Sequence, residues 1–250
     1  MSFSSVPFFS NSFKTIILPF SVCFFFTIHT TYSQPLCTHN IDIEEYDSLI
    51  IYYPQYDDIT LAYGNEVPYG EDVMYCCAGA FTAKCLKSFC HENIRCDHVS
   101  EGILYKGSEE PVCNGIFTYY DGRGHWDLAD ATLLDSAVSH HGMGFEQVMI
   151  ILNDSIIYKE KDTKKFWIDK SYVYRALCEK EGKICIIQSR DEIPYAQFVS
   201  LLAGCDVHNA LYLDMGGWGH SRYCDNDGIA VETTHAPTQY ATNWLVFKRN

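Results

Sequence analysis

Short apolar segments, each bounded by a turn signal, recur along this chain and restrict the folds that it can adopt. In one pair, Gly115 to Tyr120 precedes Asp121-Gly122, which is a favoured two-residue hairpin turn. In another pair, Tyr172 to Cys178 and Ile184 to Gln188 flank a turn at Glu181-Gly182. Because hairpins predominate over alternating strand–helix–strand units, the sequence predicts an α+β fold with a mixed, largely antiparallel sheet and a few helices.

Two segments carry helical signals. The first is capped by Asp127 or Asp130 and has an apolar stripe that extends to Ser139. The second begins at Pro194, a residue suited to the first helical position, and ends at Gly204. Further strands are expected at residues 48–53, 73–81, 148–152, 210–213 and 240–247. No Pro/Gly/Ser-rich linker divides the chain, so a single compact domain is expected.

The N-terminal 33 residues read as a signal peptide. They contain one charge, Lys14, followed by an apolar run from Thr15 to Thr30 that Pro19 interrupts. That run of about 15 residues is shorter than the ~20 residues of a membrane-spanning helix. We expect cleavage after Ser33 and export of residues 34–250 to the periplasm, the cell surface or the medium, without stable membrane insertion. An uncleaved N-terminal anchor is the alternative.

The charge of the chain argues against two classes of partner. The formal net charge is −14, and it becomes −15 when Lys14 is removed with the signal peptide. A strongly acidic protein repels polyanions, so neither nucleic acid nor an anionic membrane is an expected partner. An anionic substrate would require a local cationic pocket.

Cysteine is abundant, with 12 in the chain and 11 after the signal peptide is lost. An exported chain of this kind is expected to form disulfides. Residues 76–98 hold five cysteines and two histidines, but no CxxC pair, so structural zinc is the less favoured reading. Counting outward from the Glu181-Gly182 turn places Cys178 opposite Cys185, where a cross-strand bond would fall on a hydrogen-bonded rung.

The strongest chemical signal is the sequence Asp214-Met215-Gly216-Gly217-Trp218-Gly219-His220-Ser221, in which an aspartate leaves the apolar strand Ala210 to Leu213. Glycine permits positive φ angles and close approach of a ligand to the backbone. The amides released there can point at an anion, and a carboxylate fixed by the strand can coordinate or take a proton. An ordinary strand-end turn is the alternative.

These segments resemble a known enzyme family. Arg175-Ala176-Leu177, the helix from Pro194 and the run from Asn209 to Gly217 are similar to the phosphodiester glycosidases, the family that contains the enzyme uncovering mannose 6-phosphate on lysosomal glycoproteins. The resemblance covers residues 73 to 247 and looks closer to a bacterial branch common in gut Bacteroidetes. The segments that suggest this branch are residues 96–100, 144–147 and 240–247.

The resemblance implies hydrolysis of a sugar 1-phosphodiester to free sugar and phosphomonoester. Phosphate is a good leaving group, so charge stabilisation matters more than a strong acid. Arg175 would grip phosphate oxygens, and Asp214 would position or activate water. His220 and His98, titrating near neutrality, would donate to the phosphate, and Asp97 would orient a histidine or serve as a second carboxylate. The expected substrate-binding residues are Gly216, Gly217, Trp218, Ser221 and Gln147.

The chain departs from the family pattern at three positions. Met215 replaces the first glycine, the serine expected after the glycines is displaced to Ser221, and Cys77 replaces an asparagine in Cys77-Ala78-Gly79-Ala80-Phe81. A catalytically silent protein that binds a glycan or the cell envelope through the same cleft is therefore the alternative function. A disulfide-rich or zinc-stapled structural protein is a third reading. The sequence names no certain cofactor and leaves a divalent metal open.

Overall fold

The computed structural model describes residues 40–83, 88–107, 113–129, 131–157, 171–214, 219–234 and 241–250. The elements in these ranges are β1 Ile41–Tyr46, β2 Leu49–Pro54, β3 Asp58–Tyr63, β4 Val73–Ala78, a 3₁₀ turn His91–Asn93, β5 His98–Ser100, β6 Ile103–Tyr105, β7 Gly115–Tyr120, β8 Arg123–Leu128, α1 Ala131–Ser139, β9 Met143–Gln147, β10 Met149–Leu152, β11 Ser155–Ile156, β12 Ser171–Tyr172, β13 Arg175–Lys180, β14 Lys183–Ser189, β15 Ile193–Pro194, α2 Tyr195–Gly204, β16 Val207–Tyr212, β17 Ser221–Cys224, β18 Ala230–Thr234 and β19 Asn243–Lys248.

A seven-stranded sheet, in the order β1-β2-β14-β13-β16-β10-β11, forms the largest layer. Its central strands are apolar on both faces, as strands covered on both sides must be. Helix α2 covers one face with Tyr195, Phe198 and Leu202, which pack against Tyr174 and Ile187 in one apolar cluster. The short pair β12 and β15 leads the chain into this helix.

Two five-stranded sheets complete the fold, in the orders β18-β17-β4-β19-β3 and β6-β5-β9-β7-β8. All three larger sheets contribute to one shared core, for example through Leu177, Leu245 and Phe117. Helix α1 covers the other face of the third sheet with Leu134 and Ala137. The sheets therefore meet along a common apolar interior, and the ends of their strands lie where that interior reaches the surface.

Both predicted hairpins are confirmed, and so is the register that was counted outward from Glu181-Gly182. Asp121, Gly122, Glu181 and Gly182 all have positive φ angles between 50° and 72°, which both central residues of a type I′ turn require. Cys178 lies opposite Cys185 as the turn predicts. Both thiols are nevertheless unbonded, in agreement with the unfavourable geometry of a hydrogen-bonded rung.

The predicted architecture is confirmed in outline and corrected in detail. The described strand pairings are all antiparallel rather than mixed, and the two α-helices are short. A disulfide joins Cys96 to Cys113. No helix within the described ranges is long and apolar enough to span a membrane. The predicted signal peptide lies outside the described residues.

Candidate functional site

Asp214 lies where the first and second sheets meet. β16 ends at Tyr212, and the next two residues are fixed by backbone bonds, because Leu213 N donates to Arg175 O at 3.1 Å and Asp214 N donates to Gly79 O at 2.8 Å. One carboxylate oxygen of Asp214 accepts the amide of Thr82 at 3.0 Å. The side chain is mostly buried, so its carboxylate is held in one place at the edge of the interior.

Arg175 begins β13, and its guanidinium is fully buried. Nε and Nη2 donate to Gln188 Oε1 at 3.0 and 2.7 Å. Nη2 also donates to the carbonyl of Gly219 at 3.1 Å, and Nη1 donates to that of His220 at 3.4 Å. Burying a guanidinium is costly unless such acceptors replace water. Their presence explains how this charge is accommodated inside the fold.

Arg175 therefore contacts the chain on both sides of residues 215–218, through its backbone at Leu213 and through its side chain at Gly219. The chain leaves β16 beside the Arg175 backbone and returns at Gly219 onto the Arg175 side chain. Met215, Gly216, Gly217 and Trp218 lie outside the described residues. We call the fixed surroundings of this turn the Arg175 junction. Its members are Arg175, Gln188, Asp214, Gly219, His220 and Ser221.

His220 and Ser221 connect the Arg175 junction to the second sheet. The carbonyl of His220 accepts Ala78 N at 3.0 Å, and its ring meets Trp244 edge-on with centroids 5.9 Å apart. Ser221 Oγ accepts Arg175 Nη2 at 2.5 Å and also hydrogen-bonds with the hydroxyl of Thr233. His220 and Ser221 are both buried. The displaced serine of the sequence pattern thus lies against the predicted arginine.

Asn243 supports Asp214 through the segment that follows β4. Its side-chain Oδ1 accepts a hydrogen bond from Ala80 N at 2.7 Å, and its Nδ2 donates to Ala80 O at 2.9 Å. A Cβ at Gly79 would lie 3.1 Å from Asn243 Oδ1 and 3.2 Å from Leu245 N, so a glycine suits this close approach. Thr82 and Thr242 share a 3.1 Å hydroxyl hydrogen bond nearby. Asn243 therefore positions the segment after β4, from which the Thr82 amide donates to Asp214.

Two of these residues were not identified from the sequence. Gln188 could have been found, because counting outward from the predicted hairpin turn places it directly opposite Arg175, as the structure confirms. Asn243 gave no such signal, since it reaches Ala80 across 163 residues of sequence.

Cys77, the residue that replaces an asparagine of the family pattern, lies beside the Arg175 guanidinium. Burial raises the pKa of its thiol to about 11, although the neighbouring Arg175 opposes the shift. A thiol with that pKa stays protonated at neutral pH and is a poor nucleophile. Cys77 therefore serves as a neutral wall of the Arg175 junction.

His98 lies in β5 of the third sheet, and Asp97 directly precedes it. His98 is fully buried between Tyr63 and Tyr105, and its Nδ1 is 3.1 Å from Cys96 O. Burial lowers the pKa of its imidazole to about 4, so the expectation that His98 titrates near neutrality is wrong. The cause is the apolar surroundings, which penalise the charged ring.

Asp97 is engaged with its own loop. Its carboxylate accepts Lys106 Nζ at 2.6 Å and Gly107 N at 2.8 Å. Partial burial acts to raise the pKa of Asp97, but these two hydrogen bonds outweigh it and the pKa is lowered. The Asp97 carboxylate is therefore held by Lys106 and Gly107.

Gln147 belongs to the third sheet. It lies buried at the end of β9, where its side-chain oxygen accepts the amide of Val148 at 3.0 Å. Its hydrogen-bond partner is therefore local. Throughout the described ranges, no group of three His, Cys, Asp or Glu side chains is arranged to hold a metal ion.

Comparison with known proteins shows a related fold. No protein-family model and no curated protein sequence matches this chain. Among solved structures, it is similar to the catalytic domain of zebrafish N-acetylglucosamine-1-phosphodiester alpha-N-acetylglucosaminidase, auto-inhibited by its pro-peptide, with a TM-score of 0.57 and 14% identity over 84% of this chain and 81% of that one. A hypothetical protein from Synechocystis aligns with a TM-score of 0.48 and 9% identity over 84% of this chain and 61% of that one.

Proposed function

We propose that this chain is an exported hydrolase that cleaves a sugar 1-phosphodiester of a glycan or the cell envelope, releasing free sugar and a phosphomonoester. The observation that carries the proposal is the Arg175 junction, where a fixed carboxylate and a buried cation hold the two ends of one glycine turn. The fold likeness to a catalytic domain of the matching enzyme class supports it.

In the proposed reaction, water attacks the anomeric carbon. The bond between that carbon and the phosphate oxygen breaks, and the phosphate leaves with the electron pair. Asp214 positions the water and accepts its proton, which is the role that a carboxylate held by a rigid strand can perform. The amides of Gly216 and Gly217, with His220, stabilise the negative charge of the leaving phosphate, and Trp218 and Ser221 contact the substrate.

We assign Arg175 a positioning role within this mechanism. Its guanidinium is fully buried and donates to protein acceptors, including the two carbonyls at which the turn returns. An arginine in that setting acts by fixing the backbone at Gly219 and His220, and pre-organisation of this kind is a main source of catalytic rate. The phosphate-gripping role implied by the family resemblance is replaced by this one.

The test is turnover of a panel of chromogenic sugar 1-phosphodiesters by residues 34–250 and by Asp214→Asn. We expect the variant to lose about 10²- to 10⁴-fold in kcat, because it removes a base without changing the shape of the side chain. Asp227→Asn, an exposed aspartate outside the Arg175 junction, is the matched control and should be unaffected.

Two results would contradict the proposal. Equal turnover by Asp214→Asn would show that the carboxylate is misassigned. An absence of turnover across the panel would favour the alternative of a silent glycan- or envelope-binding protein, to which the engagement of Ser221 Oγ by Arg175 and Thr233 already gives some weight.

A further inference from the structure

A cavity lies at the opposite end of β13, in the large sheet, from Arg175. It is a groove of about 490 Å³ between two hairpin turns, the Gly122 turn and the Gly182 turn. Residues at the end of β2 complete it. We call it the aromatic groove, and the residues used below are Tyr53, Gln55, Tyr56, Arg123, Trp126, Glu179 and Lys183.

The aromatic groove is distant from the Arg175 junction. Arg175 is the first residue of β13, and the Gly182 turn follows the last residue of the same strand. A six-residue strand is roughly 17 Å long at the usual rise per residue. A ligand in the aromatic groove would therefore occupy a site separate from Asp214.

Two half-buried aromatic side chains, Trp126 and Tyr56, form its apolar wall. Trp126 packs against Phe117 with ring centroids 4.6 Å apart, and Tyr56 meets Phe247 edge-on at 5.1 Å. Each ring is therefore supported by the core on one side and presented to the groove on another. Gly124 allows the β7–β8 hairpin to approach β14 closely, because a Cβ at Gly124 would lie 2.6 Å from Ile184 Cδ1.

The rim supplies polar groups of both kinds. Arg123 and Lys183 bring N–H donors, Glu179 brings carboxylate acceptors, and the amide of Gln55 offers both. Glu179 is held in place by Asn209 Nδ2, which donates to its carboxylate at 2.7 Å. The charges are of both signs, so the rim does not select for a strongly anionic or cationic ligand.

We propose that the aromatic groove binds an uncharged oligosaccharide. A sugar ring presents apolar C–H faces that stack on aromatic rings, and its hydroxyls both donate and accept hydrogen bonds. The groove combines supported aromatic faces with donors and acceptors at its rim, and its volume lies in the usual range for ligand sites. This binding is independent of catalysis at Asp214 and would hold a glycan chain to the protein surface.

Calorimetric titration with chitotetraose, cellotetraose, mannotetraose and maltotetraose tests the proposal, using residues 34–250. We expect at least one of the four to bind and Trp126→Ala to bind it about tenfold more weakly, the loss of roughly one good stacking contact. Tyr69→Ala is the matched control, because Tyr69 is 82% exposed and lies outside the groove. Asp214→Asn should bind the sugar normally, which separates this result from the proposed hydrolysis.

Trp126 also packs against the core, so its variant requires a check of folding by urea denaturation. Lys183→Ala and Gln55→Ala, both on the exposed rim, are the second set of variants and should each weaken binding while leaving the unfolding transition unchanged. The proposal is overturned if none of the four tetrasaccharides binds at millimolar concentration. It is equally overturned if the bound sugar is unaffected by the changes at Trp126, Lys183 and Gln55.

Discussion

Arg175 and His98 are both fully buried, and the sequence predicted both to belong to one active site. Their hydrogen bonding differs. Arg175 keeps its charge and meets acceptors from three segments, on β14, at the end of the glycine turn and on β17. His98 packs among aromatic rings, and within the described part of the chain its Nε2 has no hydrogen-bond partner. Its pKa is lowered to about 4, so it is neutral at physiological pH.

The difference shows how a buried polar group gains or loses a function. A group that can never lose its proton must be matched by acceptors, and those acceptors then depend on it for their own position. A group that can lose its proton avoids the cost of burial by becoming neutral. Arg175 therefore organises its neighbours, whereas His98 behaves as part of the core.

Replacing Arg175 should have the largest effect on stability. Arg175→Met removes the donor to Gln188 Oε1 and to the Gly219 carbonyl, so we expect a loss of about 3–5 kcal/mol in the free energy of unfolding. The free energy of unfolding of Arg175→Lys should lie between those of the wild type and Arg175→Met. A lysine ammonium keeps the charge but cannot reproduce the planar set of donors of a guanidinium. Urea denaturation gives both values.

Arg190→Met is the matched control. Arg190 is an exposed arginine that pairs with Glu45 at 2.8 Å, so its loss should leave the unfolding midpoint nearly unchanged. A contrary result would be an Arg175→Met protein of wild-type stability that has lost hydrolysis. That outcome would return Arg175 to the role of a direct phosphate ligand.

His98 should make stability depend on pH. Its imidazole has a pKa of about 4 when folded and 6.5 when unfolded, so the unfolded chain binds more protons between these values. Stability should therefore fall as pH decreases from about 6.5 to about 4, by about 3 kcal/mol for this residue. His98→Phe keeps an aromatic ring between Tyr63 and Tyr105 and should flatten the curve over this range.

The exposed His208 provides a control of opposite sign. Its pKa is raised above 6.5 by a hydrogen bond with Asp154, so the stability that it adds is present at low pH and is lost as pH rises above 6.5, and His208→Asn should leave the slope between pH 6.5 and 4 nearly unchanged. Our assignment of His98 fails if His98→Phe leaves the measured slope between pH 6.5 and 4 as steep as in the wild type.

Local interactions explain what the sequence could predict. The hairpin of β13 and β14 is set by a two-residue turn, so its register can be counted outward from Glu181-Gly182 as far as the Arg175–Gln188 pair. The strand that ends two residues before Asp214 and the helix that begins after Pro194 are equally local patterns.

The rest of the candidate site depends on contacts between distant segments. Arg175 reaches His220 across 45 residues, and Thr82 reaches Asp214 across 132. No periodicity records which strand ends will meet, so the support from Thr82 and Asn243 could not be predicted. The burial of His98 could not be predicted from the sequence for the same reason. The residue type of His98 suggested a titrating group, but the rings around it, which set its pKa, come from two other strands, β3 and β6.

The smallest expected effect concerns Asp97. Substitution of its ion-pair partner Lys106 tests whether Asp97 takes part in the reaction proposed for the Arg175 junction. Lys106 is largely exposed and bonds Asp97 at 2.6 Å, and such surface pairs contribute about 0–1 kcal/mol. Lys106→Gln should therefore change the unfolding midpoint little and leave turnover of a sugar phosphodiester within about twofold of the wild type, while the Asp97 pKa, followed by NMR, rises. A drop in turnover of the size expected for Asp214→Asn would instead place Asp97 in the reaction, and the division between the Arg175 junction and the third sheet would then be wrong.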